Sequence, residues 1–210
     1  MKRVFTITIG LLTVFYSYSQ VVGGKIPKLA KLYREGAYED CLYKADNMTY
    51  NDKTKNDPEP YLYMAMSLYQ ISIMDDPDYK EDYPNAYRDA IKYAARFVIK
   101  DRKKELYPQN LEFFEELKKT GVNRAKSLYD EKNYKIASRS LKDLSRLDKE
   151  DENPNFMRII CDIIANVPTN PKEELKISLQ ALEKKVNDPN YKFDKITRQL
   201  LVDGFLIYSN

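Results

Sequence analysis

A chain of 210 residues with 43% hydrophobic residues can close a core burying roughly 70% of its unfolded surface, so neither disulfides nor a structural metal are required for stability. Six Gly and ten Pro set against 32% charged residues favour helix over a turn-rich sandwich, and the formal net charge of +3 leaves no electrostatic footprint for nucleic acid. With no His anywhere, a His general base, Ser-His or Cys-His nucleophile pairs and all His metal sites are excluded.

The first element is an export signal. Lys2 and Arg3 precede the apolar run 4–16, which is too short to span a bilayer, and Ser17 and Ser19 are small residues suited to cleavage before Gln20. Residues 1–19 are therefore expected to be removed, leaving no transmembrane span in the mature chain. Removal of Lys2 and Arg3 and no acid takes the charge from +3 to +1.

From about residue 25 the apolar residues recur at helical spacing: Ile26, Leu29, Ala30, Leu32 and Tyr33, then Leu62, Ala65, Met66 and Tyr69, and later Ile159, Ile160, Ile163 and Ile164. The chain also aligns with itself. The stretch 32–41 matches 128–137 at an offset of 96, sharing Leu32 with Leu128, Tyr33 with Tyr129, Glu35 with Glu131 and Tyr38 with Tyr134. Pro60 and its successors match Pro154 and its successors at an offset of 94. An internal duplication is expected, with halves of about 25–105 and 110–210, each holding two helical hairpins.

Residues 32–45 and 128–141 resemble the centre of a tetratricopeptide repeat: a first helix ends in Leu-Tyr, a turn carries Gly or Asn, and a Tyr opens a second helix with a small residue three positions on. Gly36, Tyr38, Cys41 and Ala137 fit that pattern, and 87–91 look like the same second-helix opening. The resemblance implies an all-α, short right-handed solenoid of about four antiparallel hairpins, spanning 20–210, with units beginning near Lys25, Pro60, Gly121 and Pro154. An insertion, 72–85, departs from the repeat, as does the lack of an early tryptophan. A single hairpin cannot bury its stripe alone, so neighbours must stack.

The remaining signals are local. Asp75, Asp76, Asp78, Glu81 and Asp82 crowd the insertion, but the Gly and spaced terminal Glu of a calcium loop are missing, which favours a polar turn over a cation site. Residues 47–49 form a short glycosylation sequon. Asn170 before Pro171, Glu173 and Glu174 marks a helix start, and Asp194 before Ile196, Leu200, Leu201 and Phe205 opens an expected capping helix. Cys41 and Cys161 lie in distant units, which disfavours a bridge.

No spacing of Ser, Lys, Asp or Glu singles out a catalytic pair, and no glycine-rich phosphate loop occurs, so neither an enzyme nor a cofactor is expected. Aromatic residues at helical spacing mostly pack, as expected for Tyr38, Tyr69, Tyr93 and Tyr134. On the repeat register Tyr33, Tyr63 and Tyr129 fall where first helices face a concave side, and the expected partner groove comprises Tyr33, Arg34, Tyr63, Ser67, Gln70, Lys126 and Tyr129. The function this implies is an exported protein-interaction scaffold, periplasmic or associated with the outer membrane, binding a protein or peptide as part of an envelope complex. The alternative is a carbohydrate or peptidoglycan binding module using the same aromatic face.

Overall fold

A computed structural model describes residues 21–147, 151–168 and 170–186, with Val202 and Leu206. The export signal and the capping helix expected from Asp194 lie outside these residues.

All regular structure among the described residues is helical: α1 (Pro27–Arg34), α2 (Tyr38–Tyr50), α3 (Glu59–Ile73), α4 (Pro77–Asp82), α5 (Ala86–Lys100), α6 (Leu111–Asp130), α7 (Tyr134–Leu144), α8 (Glu152–Ile164) and α9 (Pro171–Val186), with a short 3-10 turn, Pro108–Asn110, leading into α6. Prolines in the first turns of α1, α3 and α4 cost no hydrogen bond there, because those amides have no intrahelical acceptor. Asp76 and Asp151 cap α4 and α8 by accepting from the amides of Asp78 (2.9 Å) and Asn153 (3.1 Å). The insertion is thus more than a turn, since it folds a helix of its own.

Consecutive helices pack side by side, α1 on α2, α2 on α3, α3 on α5, α6 on α7, α7 on α8 and α8 on α9, and α5 also packs on α7. Small residues set the spacing: Cys41, Ala45, Ala90, Ala94, Ala125 and Ala137 are fully buried where helices cross. α3 is enclosed on every side, its residues from Glu59 to Tyr69 all buried, as expected of a helix apolar around its whole circumference. Phe97 stacks on Phe114 with ring centroids 5.5 Å apart, and Tyr69 meets Phe113 edge-on at 6.0 Å, which ties α3 and α5 to α6.

The two aligned stretches share one turn geometry. After α1, Gly36 has φ +74°, its amide donates to Tyr33 O (3.1 Å) and that of Ala37 to Leu32 O (3.0 Å). After α6, Lys132 has φ +64°, its amide donates to Tyr129 O (2.9 Å) and that of Asn133 to Leu128 O (2.8 Å). This left-handed helix stop satisfies carbonyls that would otherwise be orphaned, and Lys132 adopts it at a steric cost glycine avoids. Tyr33 meets Tyr38, and Tyr129 meets Tyr134, each edge-on at 5.2 Å. Asn166 (φ +51°) closes α8 in the same way.

One boundary differs from the sequence reading. Gly121, expected near the start of a unit, lies inside α6, which begins at Leu111. Its lack of a side chain serves close packing instead: a Cβ there would strike the Tyr87 hydroxyl and lie 2.7 Å from both Leu144 methyls. Cys41 and Cys161 are buried, free thiols.

Three buried polar groups fasten the connections. Glu59, at the head of α3, accepts from the amides of Lys25 (2.6 Å) and Ile26 (2.9 Å), pinning the entry to α1. Asn110 holds the same segment, accepting from Val22 N (2.9 Å) and donating to Val22 O (3.0 Å). Asp101 gathers the loop after α5 by accepting from the amides of Glu105, Leu106 and Tyr107 at 3.1, 3.1 and 2.7 Å.

Candidate partner-binding cleft

The seven residues expected to line a groove do not share one surface. Tyr33 and Tyr63 are core residues, 3% and 0% exposed, and Ser67 is fully buried. Tyr33 and Tyr63 meet edge-on at 6.1 Å, and the Tyr63 hydroxyl accepts from Val21 N (3.4 Å). Burial pushes the Tyr63 hydroxyl up to about 12. Ser67 lies against the Cys41 thiol, which burial raises to about 11 while the Ser67 hydroxyl pulls it back. None of these three can present a side chain to a partner. The repeat register places them on the open side of first helices, but α3, which carries Tyr63 and Ser67, has neighbours all round and no open side, and Tyr33 on α1 is packed between Tyr38 and Tyr63. Arg34 and Lys126 are exposed, with Arg34 turned to Ala30 O (3.2 Å) and Lys126 paired to Asp130 (2.6 Å). Gln70 and Tyr129 are half-buried.

Of the tyrosines expected in the core, Tyr69 is buried, while Tyr38, Tyr93 and Tyr134 are half-buried against it. The Tyr69 hydroxyl meets Thr120 Oγ1 (3.1 Å) and Glu116 Oε1 (3.3 Å) on α6.

A surface hollow of about 590 Å³ opens elsewhere, between the insertion, the start of α5, the middle of α6 and the outer side of α7. The insertion builds one wall with Tyr79, Lys80, Tyr83 and Pro84. The base is apolar, formed by Ile71, Tyr87, Ile91, Leu128 and Leu144, and Ile136 stands 52% exposed at the α7 side. Tyr87 is fixed twice: its hydroxyl donates to Leu117 O (2.6 Å), and the Arg124 guanidinium sits 4.2 Å from its ring centroid. Burial raises the Tyr87 phenol well above its ordinary value, and the Arg124 charge works against that rise.

The rim is cationic. Arg124 donates to Ser72 O (3.3 Å), and Lys80 pairs with Asp75 (2.5 Å). Arg88 and Arg139 are exposed and have no ion pair or hydrogen bond among the described residues. A second hollow of about 410 Å³ shares Arg88, Ile91 and Asp143 with the first and runs on along α5 past Lys92 and Arg96 to Ile99, which is 71% exposed. Among the described residues the only carboxylate lining either hollow is Asp143, paired with Arg146 at 3.1 Å.

A polar cluster at the other end has a different character. Ser138 donates to Asp162 Oδ1 (2.5 Å), Asp162 Oδ2 pairs with Arg158 (2.7 Å), and Arg158 reaches Glu174 (2.5 Å). With both Asp162 oxygens engaged and Ser138 and Asp162 buried, this cluster fastens α7, α8 and α9 together. Among the described residues no group of three or more Cys, Asp or Glu side chains is placed to hold a metal ion, and no helix is long and apolar enough to cross a membrane.

The cleft was hidden in the sequence because its walls come from four segments spread over some seventy residues. The usable signal was the departure from the repeat at 72–85, followed by Arg88 and Arg124 without acids at helical spacing to pair them, and by Arg139, whose i+4 neighbour Asp143 is taken by Arg146. Comparison of the chain with protein-family models, with curated proteins and with solved structures finds no match.

Proposed function

We propose that this chain is an exported interaction scaffold, a short tetratricopeptide-like solenoid of four hairpins (α1 with α2, α3 with α5, α6 with α7, α8 with α9) that holds a protein or peptide partner. The repeated turn at Gly36 and Lys132, with its identical ring pair, supports the hairpin reading. The signal pattern of residues 1–19 supports export to an envelope compartment. The observation that carries the function is the cleft itself, whose base is apolar, whose rim is cationic and whose one wall is supplied by an insertion the repeat does not need.

Binding there needs no chemistry beyond burial. An apolar side chain seated on Ile136 and Leu128 gains about 25 cal/mol per Å² removed from water. Isolation from membranes of tagged wild-type protein beside an Ile136→Asp variant tests the reading: a defined protein partner should be retained by wild type and lost from the variant. Equal recovery from both, or retention on cell-wall glycan in place of protein, would refute it.

A further inference from the structure

We infer that the cleft and its extension along α5 take an acidic peptide segment in extended conformation, its carboxylates on Arg88 and Arg139 and its apolar side chains on Ile136, Leu128 and Ile99. This rests on the reading of the chain as an interaction scaffold and names the chemistry of the partner.

Charge segregation comes first. The mature chain expected from the sequence carries only +1, yet Lys80, Arg88, Arg124 and Arg139 line the larger hollow. Lys92, Arg96 and Arg146 continue the track in the smaller one. Against these, the sole lining carboxylate among the described residues is Asp143, already engaged by Arg146. Lys80 and Lys92 have partners of their own in Asp75 and Asp89, so the cations left for an incoming anion are the arginines. Arg124 and Arg96 lie over tyrosine rings, of Tyr87 and Tyr93, which hold the guanidinium in place but leave its charge uncompensated. Arg88 and Arg139 have no such tie among the described residues. A guanidinium fork matches a carboxylate in two-point geometry, which an amide or hydroxyl does not reproduce.

Shape and apolar content narrow the class. From Arg88 to Ile99 the track follows α5 for about 16 Å at 1.5 Å per residue. An extended chain covers that in about five residues, at roughly 3.3 Å each. Its side chains alternate, so one set can lie on the aliphatic base while the other reaches the arginines. A polyanionic glycan or single-stranded nucleic acid would meet the cations but leave Ile136 and Ile99, 52% and 71% exposed, uncovered.

The test is fluorescence anisotropy with the mature protein and three labelled eight-residue probes of alternating Glu and Leu, Gln and Leu, or Lys and Leu. The Glu probe should bind at least about tenfold more tightly than the Gln probe, with affinity falling as salt rises, and the Lys probe should not bind. In the double variant Arg88→Glu with Arg139→Glu the Glu probe should weaken about tenfold or more and the Lys probe should gain binding. Both side chains are exposed and, among the described residues, unpaired, so thermal unfolding should match wild type. Equal binding of the Glu and Gln probes, lost together on Ile136→Asp, would overturn the acidic assignment and keep the scaffold reading. Binding of a labelled oligonucleotide or of peptidoglycan fragments with no binding of any peptide would overturn both.

Discussion

Replacing Gly121 with Ala tests the packing beneath the cleft, because two effects of opposite sign meet there. In an unobstructed helix the change gains about 1 kcal/mol in propensity. Here the new methyl would strike the Tyr87 hydroxyl and lie 2.7 Å from both Leu144 methyls, against an ordinary carbon contact of about 3.5 to 4.0 Å. Leu144 is 1% exposed, with nowhere to retreat. Tyr87 is held by its 2.6 Å bond to Leu117 O and by Arg124 above its ring. Overpacking costs about 1 to 3 kcal/mol, and stranding a buried hydroxyl adds a cost of similar size. The net expectation is a loss of about 2 kcal/mol, or roughly 4 to 8 °C in Tm for a chain of this length. Urea titration measures it, and the double variant Gly121→Ala with Tyr87→Phe should recover part of the loss by making room for the methyl. A stabilised Gly121→Ala protein would show that α5 and α7 do not close on α6 as described.

Further outcomes follow from the buried polar groups. Asp101→Ala should cost about 1 to 3 kcal/mol, because it removes the acceptor of three loop amides, and hydrogen exchange at residues 105–107 should speed up with it. Burial raises the Glu59 carboxyl against the pull of its bonds to the Lys25 and Ile26 amides. Its folded pKa therefore exceeds its unfolded one, and the stability from its bound proton is present below the unfolded value of about 4.3 and lost as pH rises through the folded one. The advantage of wild type over Glu59→Gln in urea should accordingly narrow between pH 4 and pH 7, and a widening gap would contradict the burial argument. Burial pushes the Cys41 and Cys161 thiols up to about 11 and about 12, so neither should react with a thiol reagent at pH 8 until urea unfolds the chain.

What was legible in the sequence was local. The match of 32–41 with 128–137 coincides with a match in backbone, down to the left-handed residue at 36 and 132, because a helix stop is written in adjacent residues. Tyr87, Ala90 and Ala94 repeat the three- and seven-residue spacing of Tyr38, Cys41 and Ala45, and both second helices, α5 and α2, turn that face inward. Exposure was not legible for α3, since periodicity gives the phase of a helix but not the number of its neighbours. Tyr63 and Ser67 therefore read as a surface and prove to be core. Gly121 read as punctuation, whereas the cause of its smallness sits on Tyr87 and Leu144, both more than twenty residues away. The cleft escaped for a related reason: a net charge near zero says nothing about arginines from three helices meeting on one side.

The most direct test of the cleft as a partner surface is site-specific photo-crosslinking in the native host. A photoreactive residue at position 136, inside the cleft, is compared with one at position 43, where Tyr43 is 72% exposed on α2 and lines neither hollow. A protein adduct of one defined mass at 136, absent at 43 and lost when Arg88 and Arg139 are both changed to Glu, is the predicted result. The same adduct at both positions, or none at 136 in cells where the protein is present and folded, would contradict it.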